Sequence, residues 1–390
     1  MKQLEMLIER FCPDGVEYRR LEACCNILDK RRKPVTKAAR QAGEYPYYGA
    51  NGIQDYVSDY IFDGVFILVG EDGSVQTKMG TPIVNWAEGK IWVNNHAHII
   101  EEIEGVSLRY LYHYIQTVNV RDLIHGNIPK LNQSDFRALR IAVPPVEVQR
   151  EIVRILDNFT LLTAELTAEL TARNKQFEYY RTQLLTFSDE VEMVTLEDVC
   201  QIVDCPHTSP KWRDSGVPII RNYNLVNGQI DTSNLSYVDE DEYLTRIKRI
   251  EPQEDDILFS REAPIGNLGI VPANFRCCQG QRVVLLRPNQ ELIYPRYLIH
   301  ILQGEIVRNQ ISSVEGKGAT VSNFNISDLR KLRFQVPDKD TQLFIIDKLD
   351  VFAKLNGDIK EGLPAEIMLR KKQYEYYSKK LLSFPERRHA

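Results

Sequence analysis

The sequence repeats itself once, and this repetition constrains the fold more than any other feature. Residues 143–162 (VPPVEVQREIVRILDNFTLL) align without a gap with residues 336–355 (VPDKDTQLFIIDKLDVFAKL). Residues 175–187 (KQFEYYRTQLLTF) align with residues 372–384 (KQYEYYSKKLLSF). Similarity within one chain over such lengths indicates two copies of one structural unit. We therefore expect two related halves of about 190 residues each.

The repeat also extends upstream of these segments. RYLYHYIQ at 109–116 pairs with RYLIHILQ at 296–303, and VEYRRLEACCNI at 16–27 pairs with VEMVTLEDVCQI at 191–202. Each half is thus a globular part followed by a helical part. LIERF at 7–11 resembles the LLTF and LLSF segments that close the two helical parts. This resemblance predicts a cyclic arrangement in which both ends of the chain meet.

The helical part of the first half is predicted to be one long helix with an apolar stripe. From Ile152 to Phe177 apolar residues recur every three to four positions, without Gly or Pro. A helix of roughly 40 residues, about 60 Å long, needs a partner along its stripe. The second copy offers one, although Gly362 and Pro364 should break or kink it. Two separate helices on two separate domains remain the alternative. The predicted pairing residues are Ile152, Leu156, Phe159, Leu162, Leu166 and Leu170 in the first copy and Ile345, Leu349, Phe352, Leu355 and Ile359 in the second.

The globular parts contain short β-rich runs bounded by Gly, Asp and Pro, such as FDGVFILVGEDGSV at 62–75 and DDILFSREAPIGNLGIV at 255–271. Short helices are expected at 108–118 and 295–303. The predicted fold class is therefore α+β, with two related mixed domains separated by two long helices and an approximate internal twofold or cyclic symmetry. The predicted divisions are 1–143, 144–190, 191–337 and 338–390.

Composition and charge narrow the class of protein. The chain is 43% hydrophobic and 26% charged, as in ordinary globular proteins, and lacks a long apolar run or a signal peptide. Its seven cysteines show no CxxC spacing, which favours reduced thiols and a cytoplasmic protein. The net charge of −5 argues against coating nucleic acid by charge alone, but KRRKPVTKAAR at 30–40 is locally basic.

The sequence lacks the common motifs of catalytic sites. The sequence has no GxxxxGK[ST] phosphate loop, no HExxH metal motif and no GxSxG nucleophile elbow. His96 and His98 should share one face of a strand, but the sequence suggests no third ligand beside them. Glu71, Asp72 and Glu262 are interpreted as turn acids, because the order typical of nuclease carboxylates is missing. The chain is therefore predicted to have no catalytic site and no metal site.

The two globular units, the repeated helices and the run LTAELTAELTARN at 162–174 together resemble the specificity subunit of type I restriction-modification enzymes, in particular the subgroup with TAEL repeats. The resemblance covers the whole chain and includes SDFRALRIAVP and SDLRKLRFQVP, which close the two globular units. It implies that each unit recognises one half of a split site on double-stranded DNA. It also implies that the two helices form an antiparallel coiled coil that docks two methyltransferase subunits.

The same resemblance implies that this chain is not an enzyme and holds no cofactor. AdoMet, ATP and Mg would then serve partner subunits, namely the methyltransferase subunits and the restriction and translocase subunits. A non-DNA scaffold that carries two interaction modules on a coiled coil is the competing interpretation, and an RNA-binding adaptor is a further one. Neither accounts for the helical repeat that ends twice in an LLxF motif.

The family fixes no base-contacting residue, so candidate contacts follow from residue type. Arg and Lys suit phosphates, Arg also suits guanine, and Asn or Gln suits adenine. The predicted phosphate contacts are Arg31, Arg32, Lys33, Lys37, Arg40, Lys211, Arg213, Arg246, Lys248 and Arg249. The predicted base contacts are Asn51, Gln76, Asn94, Asn95, His96, Arg221, Asn222, Asn224, Gln279, Gln281 and Arg282.

Overall fold

The chain divides into two compact units in the computed structural model. Unit 1 comprises residues 1–166 and 367–390, and unit 2 comprises residues 167–366. The repeat-based prediction gave each long helix a division of its own, whereas each compact unit includes part of both helical regions. The structure describes residues 2–73, 75–262, 264–315, 324–357 and 362–387.

Unit 1 is a mixed sheet flanked by helices. Its main sheet has the strand order β2-β7-β5-β6-β3-β4, and β1 pairs antiparallel with β10 at the exit toward the long helix. The helices of this unit are α1 (Lys2–Phe11), α2 (Leu108–Ile115), α3 (Gln133–Ala138) and the start of α4 (Val146–Leu184). The strands are β1 (Glu17–Arg20), β2 (Asn26–Ile27), β3 (Ala42–Gly49), β4 (Gly52–Val57), β5 (Phe62–Gly70), β6 (Val84–Val93), β7 (Ala97–Glu101), β8 (Ile124–His125), β9 (Lys130–Leu131) and β10 (Arg140–Val143).

Strand β5 shows why this sheet is buried on both faces. Its residues 66–69 are all apolar and all buried, and their side chains alternate between faces. Ile67 and Val69 belong to the core beneath α2, whereas Phe66 and Leu68 belong to a second core on the opposite face. A continuous apolar run is what a strand covered on both faces requires.

The two ends of the chain meet in unit 1. The backbone N–H of Val16 donates to the carbonyl of Pro385 at 2.9 Å, and the N–H of Arg387 donates to the carbonyl of Val16 at 2.9 Å. Leu4 from α1 shares one core with Phe384. The predicted meeting of the chain ends is therefore confirmed.

Unit 2 repeats this plan with different strands. Its sheets have the orders β12-β21-β18-β19-β16-β15 and β13-β17-β14-β20, and the pair β11-β22 corresponds to β1-β10. The helices are α5 (Leu196–Val199), α6 (Glu240–Arg246), α7 (Pro295–Gln303), α8 (Glu305–Glu315), α9 (Ile326–Arg330), α10 (Lys339–Gly357) and the start of α11 (Leu363–Leu381). The strands are β11 (Met193–Thr195), β12 (Cys200–Val203), β13 (Trp212–Arg213), β14 (Val217–Ile220), β15 (Leu225–Val226), β16 (Gly228–Ile230), β17 (Ser236–Val238), β18 (Ile257–Ser260), β19 (Leu268–Ile270), β20 (Cys278–Gln279), β21 (Val283–Pro288) and β22 (Arg333–Gln335).

The long helices pair along the predicted stripe. In unit 1, Ile152 and Leu156 of α4 are fully buried, and Phe159 stacks on Tyr377 of α11 with ring centroids 5.3 Å apart. Leu162, Leu166 and Leu170 are half-buried. The start of α4 thus pairs with the end of the second copy, as in antiparallel helices.

In unit 2 the long helices pair along the equivalent apolar stripe, and we call this line of contacts the seam. Ile345 and Leu349 of α10 are buried, and Phe352 stacks on Tyr180 of α4 with ring centroids 5.8 Å apart. These contacts exclude the alternative of two unpaired helices. The side chain of Leu355 and the whole of Ile359 lie outside the described residues.

The predicted interruption of the second helix is confirmed. Helix α10 ends at Gly357 and α11 begins at Leu363, just after Gly362. Pro364 lies in the first turn of α11, where a missing N–H costs no intrahelical hydrogen bond. Among the described helices, none combines the length and the apolar character that a membrane crossing requires.

Candidate nucleic-acid interface

The basic segment of unit 1 lies on the surface before β3. Arg31, Lys33 and Lys37 are exposed. The guanidinium of Arg31 lies 4.8 Å from the centroid of the Phe62 ring, and the ammonium of Lys33 lies 5.9 Å from that of Trp92. These aromatic contacts place the side chains while leaving their charges accessible, as contact with a phosphate requires.

Two other predicted phosphate contacts of this segment are engaged within the fold. Arg32, with 12% of its side chain exposed, forms an ion pair with Glu71 and donates to the carbonyl of Ala97 at 2.9 Å. Arg40 pairs with Asp55 at 3.1 Å and lies 4.1 Å from the centroid of Tyr47. We therefore correct their assignment from phosphate contacts to structural residues.

A buried charged cluster lies beneath this segment. Donor atoms of Asp29, Glu71 and His98 lie within 4.8 Å of one another, so the sequence-based view that His98 lacks neighbouring ligands was wrong. Arg32 and Lys130 already pair with Glu71. Burial raises the pKa of Asp29, but its interactions with His98, the N–H of Ile99 and Arg32 together lower this pKa below its usual value. Because side-chain cations balance these carboxylates, we assign the cluster to the fold.

Asn51 and His96 both line a surface pocket of about 400 Å³. Asn51 lies at the tip of the β3-β4 hairpin, and Nδ1 of His96 is hydrogen-bonded to Asp72. The bond to the carboxylate leaves Nε2 of His96 directed to other partners. Two predicted base contacts thus share one exposed surface pocket. The cavity is lined by Ala50, Asn51, Gln54, Asp72, Gly73, His96 and Ile128.

The remaining base-contact candidates of unit 1 differ in exposure. Asn95 is exposed beside His96. Asn94 is 3% exposed and accepts a hydrogen bond from the backbone N–H of His96 at 2.8 Å, so we correct it to a residue that shapes the loop. Gln76 is half-buried, and its Oε1 has no hydrogen-bond partner among the described residues.

Unit 2 presents an arginine between two exposed aromatic rings. The guanidinium of Arg221 lies 5.1 Å from the centroid of Trp212 and 4.7 Å from that of Tyr223. Trp212 is 47% exposed and Tyr223 is 41% exposed. Lys211 and Arg213 flank Trp212 and are also exposed. Cationic groups and flat apolar rings on one surface fit a nucleic acid.

Three predicted contacts of unit 2 are buried and need correction. Arg246 is 2% exposed and pairs with Glu242 at 2.8 Å. The amide of Asn224 donates to the carbonyls of residues 231 and 234, and that of Gln279 donates to the carbonyls of residues 203 and 283. Their polar groups satisfy the backbone in the interior, where DNA has no access.

The other candidates of unit 2 lie at the surface. Arg282 is exposed and forms an ion pair with Glu262 at 2.7 Å. Gln281 is exposed and donates to the carbonyl of His207 at 3.1 Å. Asn222 is half-buried, whereas Lys248 and Arg249 are exposed after α6.

Each unit also contains an equivalent set of contacts, made by the same residue types, where its globular part meets the long helix. In unit 1, Asp157 of α4 accepts from Arg109 and His113 of α2, both at 2.8 Å. In unit 2, Asp350 of α10 accepts from Arg296 at 2.7 Å and from His300 at 2.7 Å. We call these sets the helix joints. Their members are Arg109, Tyr110, His113, Gln149 and Asp157 in unit 1 and Arg296, Tyr297, His300, Gln342 and Asp350 in unit 2.

Comparison with known proteins decides the family. The family described as the type I restriction modification DNA specificity domain matches residues 13–173 and again residues 188–369. The chain belongs to this family. The double match coincides with the two copies that the sequence repeat defines, and α4 connects the two matched segments.

Members of the type I specificity family resemble the chain over most of its length. A Haemophilus influenzae protein, named provisionally as a type I restriction enzyme specificity subunit, is 34% identical and covers 98% of both chains. The EcoR124I/EcoR124II specificity subunit of Escherichia coli is 32% identical over 72% of this chain and 71% of its own. The S subunit from M. genitalium has the same fold, with a TM-score of 0.55, 14% identity and coverage of 94% of this chain and 96% of its own.

Sequence reasoning missed several residues of these surfaces. Trp212 and Tyr223 flank Arg221, and Gln54 and Asp72 line the cavity of unit 1. Trp212 carried a usable signal, because an aromatic residue between two basic ones (KWR) is typical of nucleic-acid surfaces. Asp72 carried none, since a lone turn acid is common on any surface.

Proposed function

We propose that the chain recognises an asymmetric, bipartite site on double-stranded DNA and brings methyltransferase and restriction subunits to it. One observation carries this proposal: the two units share the helix joints residue for residue, yet their exposed polar surfaces differ. Matching joints indicate that both globular parts are attached to the long helices in the same way. Different exposed surfaces suit the recognition of two different half-sites. Methylation and cleavage, with AdoMet, ATP and Mg, would belong to the partner subunits in the cytoplasm.

The exposed candidates define where each half-site would be contacted. In unit 1, Arg31, Lys33 and Lys37 would hold the phosphates, while Asn51, Asn95 and His96 would face base edges. In unit 2, Lys211, Arg213, Lys248 and Arg249 would hold the phosphates, and Arg221, Gln281 and Arg282 would face base edges. The net charge of −5 is consistent with a subunit whose affinity for DNA is completed by its partners.

Methylome sequencing of cells with and without the gene tests this proposal. We expect a split motif of two different half-sites that loses its methylation in the deletion strain and regains it on complementation. Replacing residues 16–143 with the equivalent unit of a relative should change one half-site and leave the other intact. Unchanged methylation after deletion, or alteration of both half-sites after the exchange, would contradict the proposal.

A further inference from the structure

The helix joints have no role in the contacts proposed above, yet their five residues are the same in both copies. We propose that each joint is a positioning device. It fixes the orientation of its globular part on the long helix and thereby selects one gap length between the two half-sites of the DNA. Asp157 and Asp350 are its central positioning residues. This inference rests on the proposed function.

Each joint fastens two helices at two points. In unit 1, Gln149 accepts from the N–H of Ser107 at 2.9 Å and donates to the carbonyl of Gly105 at 3.1 Å, just before α2 begins. About two turns further along α4, Asp157 holds Arg109 and His113. Two attachments about 12 Å apart prevent α2 from rotating about either one.

Unit 2 makes the same two attachments. Gln342 accepts from the N–H of Tyr294 at 2.9 Å, directly before α7, and Asp350 holds Arg296 and His300. A third tie is also common to both units. The Tyr110 hydroxyl donates to the carbonyl of Ala142 at 2.8 Å, and the Tyr297 hydroxyl donates to the carbonyl of Gln335 at 3.2 Å.

The glutamine and histidine ties of each joint are protected from water. The side chains of Gln149, Gln342 and His113 are fully buried, and that of His300 is 3% exposed. Water therefore cannot replace a lost partner at these four groups, whereas the side chains of Asp157 and Asp350 are 38% and 29% exposed and contact water on their outer sides. The hydrogen bonds on the buried side prescribe one orientation. Apolar packing alone would tolerate sliding, because dispersion has no preferred direction.

The helix that carries each joint also packs against the main sheet of its unit. In unit 1, the guanidinium of Arg109 lies 4.8 Å from the ring centroid of Trp86 on β6, a neighbour of the β3-β4 hairpin that carries Asn51. In unit 2, Gly228 of β16 packs closely against Ile299 of α7: a Cβ atom added at this glycine would lie only 2.9 Å from the Ile299 side chain. Both contacts place the joint helix directly against a strand of the main sheet. A tilt at the joint would therefore move the recognition surface.

A small tilt at the joint produces a large displacement at the far end of the long helix. Helix α4 continues from Asp157 to Leu184, about 40 Å at 1.5 Å per residue. A tilt of about 5° at the joint displaces the far end by about 3.5 Å, close to the rise of one base pair, about 3.4 Å. A loosened joint should therefore admit neighbouring gap lengths without altering the bases that are read.

The test is methylome sequencing of cells that carry the complete system with Asp157→Asn or Asp350→Asn. Each variant keeps the side-chain size but replaces the charged acceptor by a neutral one. We expect sites with a gap one base pair shorter or longer to become methylated roughly tenfold more often than with the wild type. The half-site bases should stay unchanged.

Leu111→Ala is the matched control, because Leu111 is buried in α2 but does not belong to the joint. It should lower the melting temperature and keep a single gap. A single gap in both Asp variants, or equal broadening by Leu111→Ala, would overturn the proposal. If Asp157→Asn abolishes methylation altogether, the milder Arg109→Lys decides by the same criterion. A wild type without any split motif would instead refute the proposed function itself.

Discussion

His113 and His300 occupy equivalent positions but differ in one hydrogen bond. Nδ1 of His113 lies 2.8 Å from the hydroxyl of Tyr374, whereas Nδ1 of His300 is buried without a partner among the described residues. The repeat explains the difference, because Phe177 stands where the second copy has Tyr374. Burial lowers the pKa of both imidazoles and so favours the neutral ring. A neutral ring that donates from Nε2 to its aspartate can accept a hydrogen bond at Nδ1.

Reciprocal substitutions at these two positions should change stability in opposite directions. Phe177→Tyr offers the unsatisfied Nδ1 a donor and should stabilise the chain by about 1 kcal/mol. Tyr374→Phe orphans the Nδ1 of His113 and should destabilise it by about 1–3 kcal/mol. Urea denaturation of both variants measures this. Destabilisation by Phe177→Tyr that persists in a His300→Gln background would show that the hydroxyl does not meet the imidazole.

Substitution of two exposed arginines should distinguish a loss of base specificity from a loss of overall affinity for DNA. If Arg221 makes a bidentate contact with guanine, Arg221→Ala should cost about 1–3 kcal/mol and relax the choice at one base position. Arg31→Ala should instead weaken binding evenly across sequences and lower the salt slope by about one unit. Competition binding of the assembled complex to a randomised site compares them, with Arg221→Lys as a charge-preserving control. An unchanged base preference in Arg221→Ala would remove this residue from the contact set.

Residue type alone could not identify the accessible contacts. Arg31 and Arg32 are neighbours in the sequence, yet one is exposed and the other pairs with a buried glutamate. Arg246 and Asn224 looked equally suited to DNA but satisfy interior groups. Which member of a polar run faces outward depends on distant partners such as Glu71 and Glu242, and these are not visible in local sequence.

At the scale of elements, helices were predicted more accurately than strands. The apolar period of α4 predicted one continuous helix through Phe177, and Gly362 with Pro364 predicted the break before α11. Strand pairing depends on contacts between distant segments, such as Glu17 with Val143, so the sheet orders could not be derived from local patterns. The helix joints were visible as shared residues of the two copies, but spacing alone did not reveal that they touch.

The outward faces of the long helices carry tyrosines that the seam does not use. Tyr179 and Tyr376 are equivalent and are each 61% exposed, whereas the adjacent Tyr180 and Tyr377 stack on Phe352 and Phe159. The family resemblance implies that methyltransferase subunits dock on these helices. Tyr179→Ser with Tyr376→Ser should therefore reduce co-purification with such a subunit at least several-fold and leave the melting temperature unchanged. Full co-purification of this double variant would exclude these tyrosines from the docking surface.

At the scale of the whole molecule, duplication accounts for both the common and the differing features. The copies agree where a globular unit must join a helix and differ where a surface meets solvent. Such a chain uses one set of contacts twice to attach a globular part to a helix, and its two exposed surfaces can vary independently. The segment between the aligned helical parts is the other place where the copies differ, and in the first copy it consists of the TAEL run.

The TAEL run is predicted to set the gap between the half-sites. One copy adds four residues to a continuous helix, about 6 Å of length and a net rotation of roughly 40°. One base pair adds about 3.4 Å and, at about 10–10.5 pairs per turn, roughly 35°. The net rotation of one copy matches that of one base pair closely, and a misrotated unit cannot reach its groove. Deleting residues 167–170 should therefore shorten the gap by one base pair, and replacing the same four residues with Ala-Ala-Glu-Leu should leave it unchanged. Methylome sequencing of both variants measures the gap, and an active deletion variant with the original gap would rule out this role of the run.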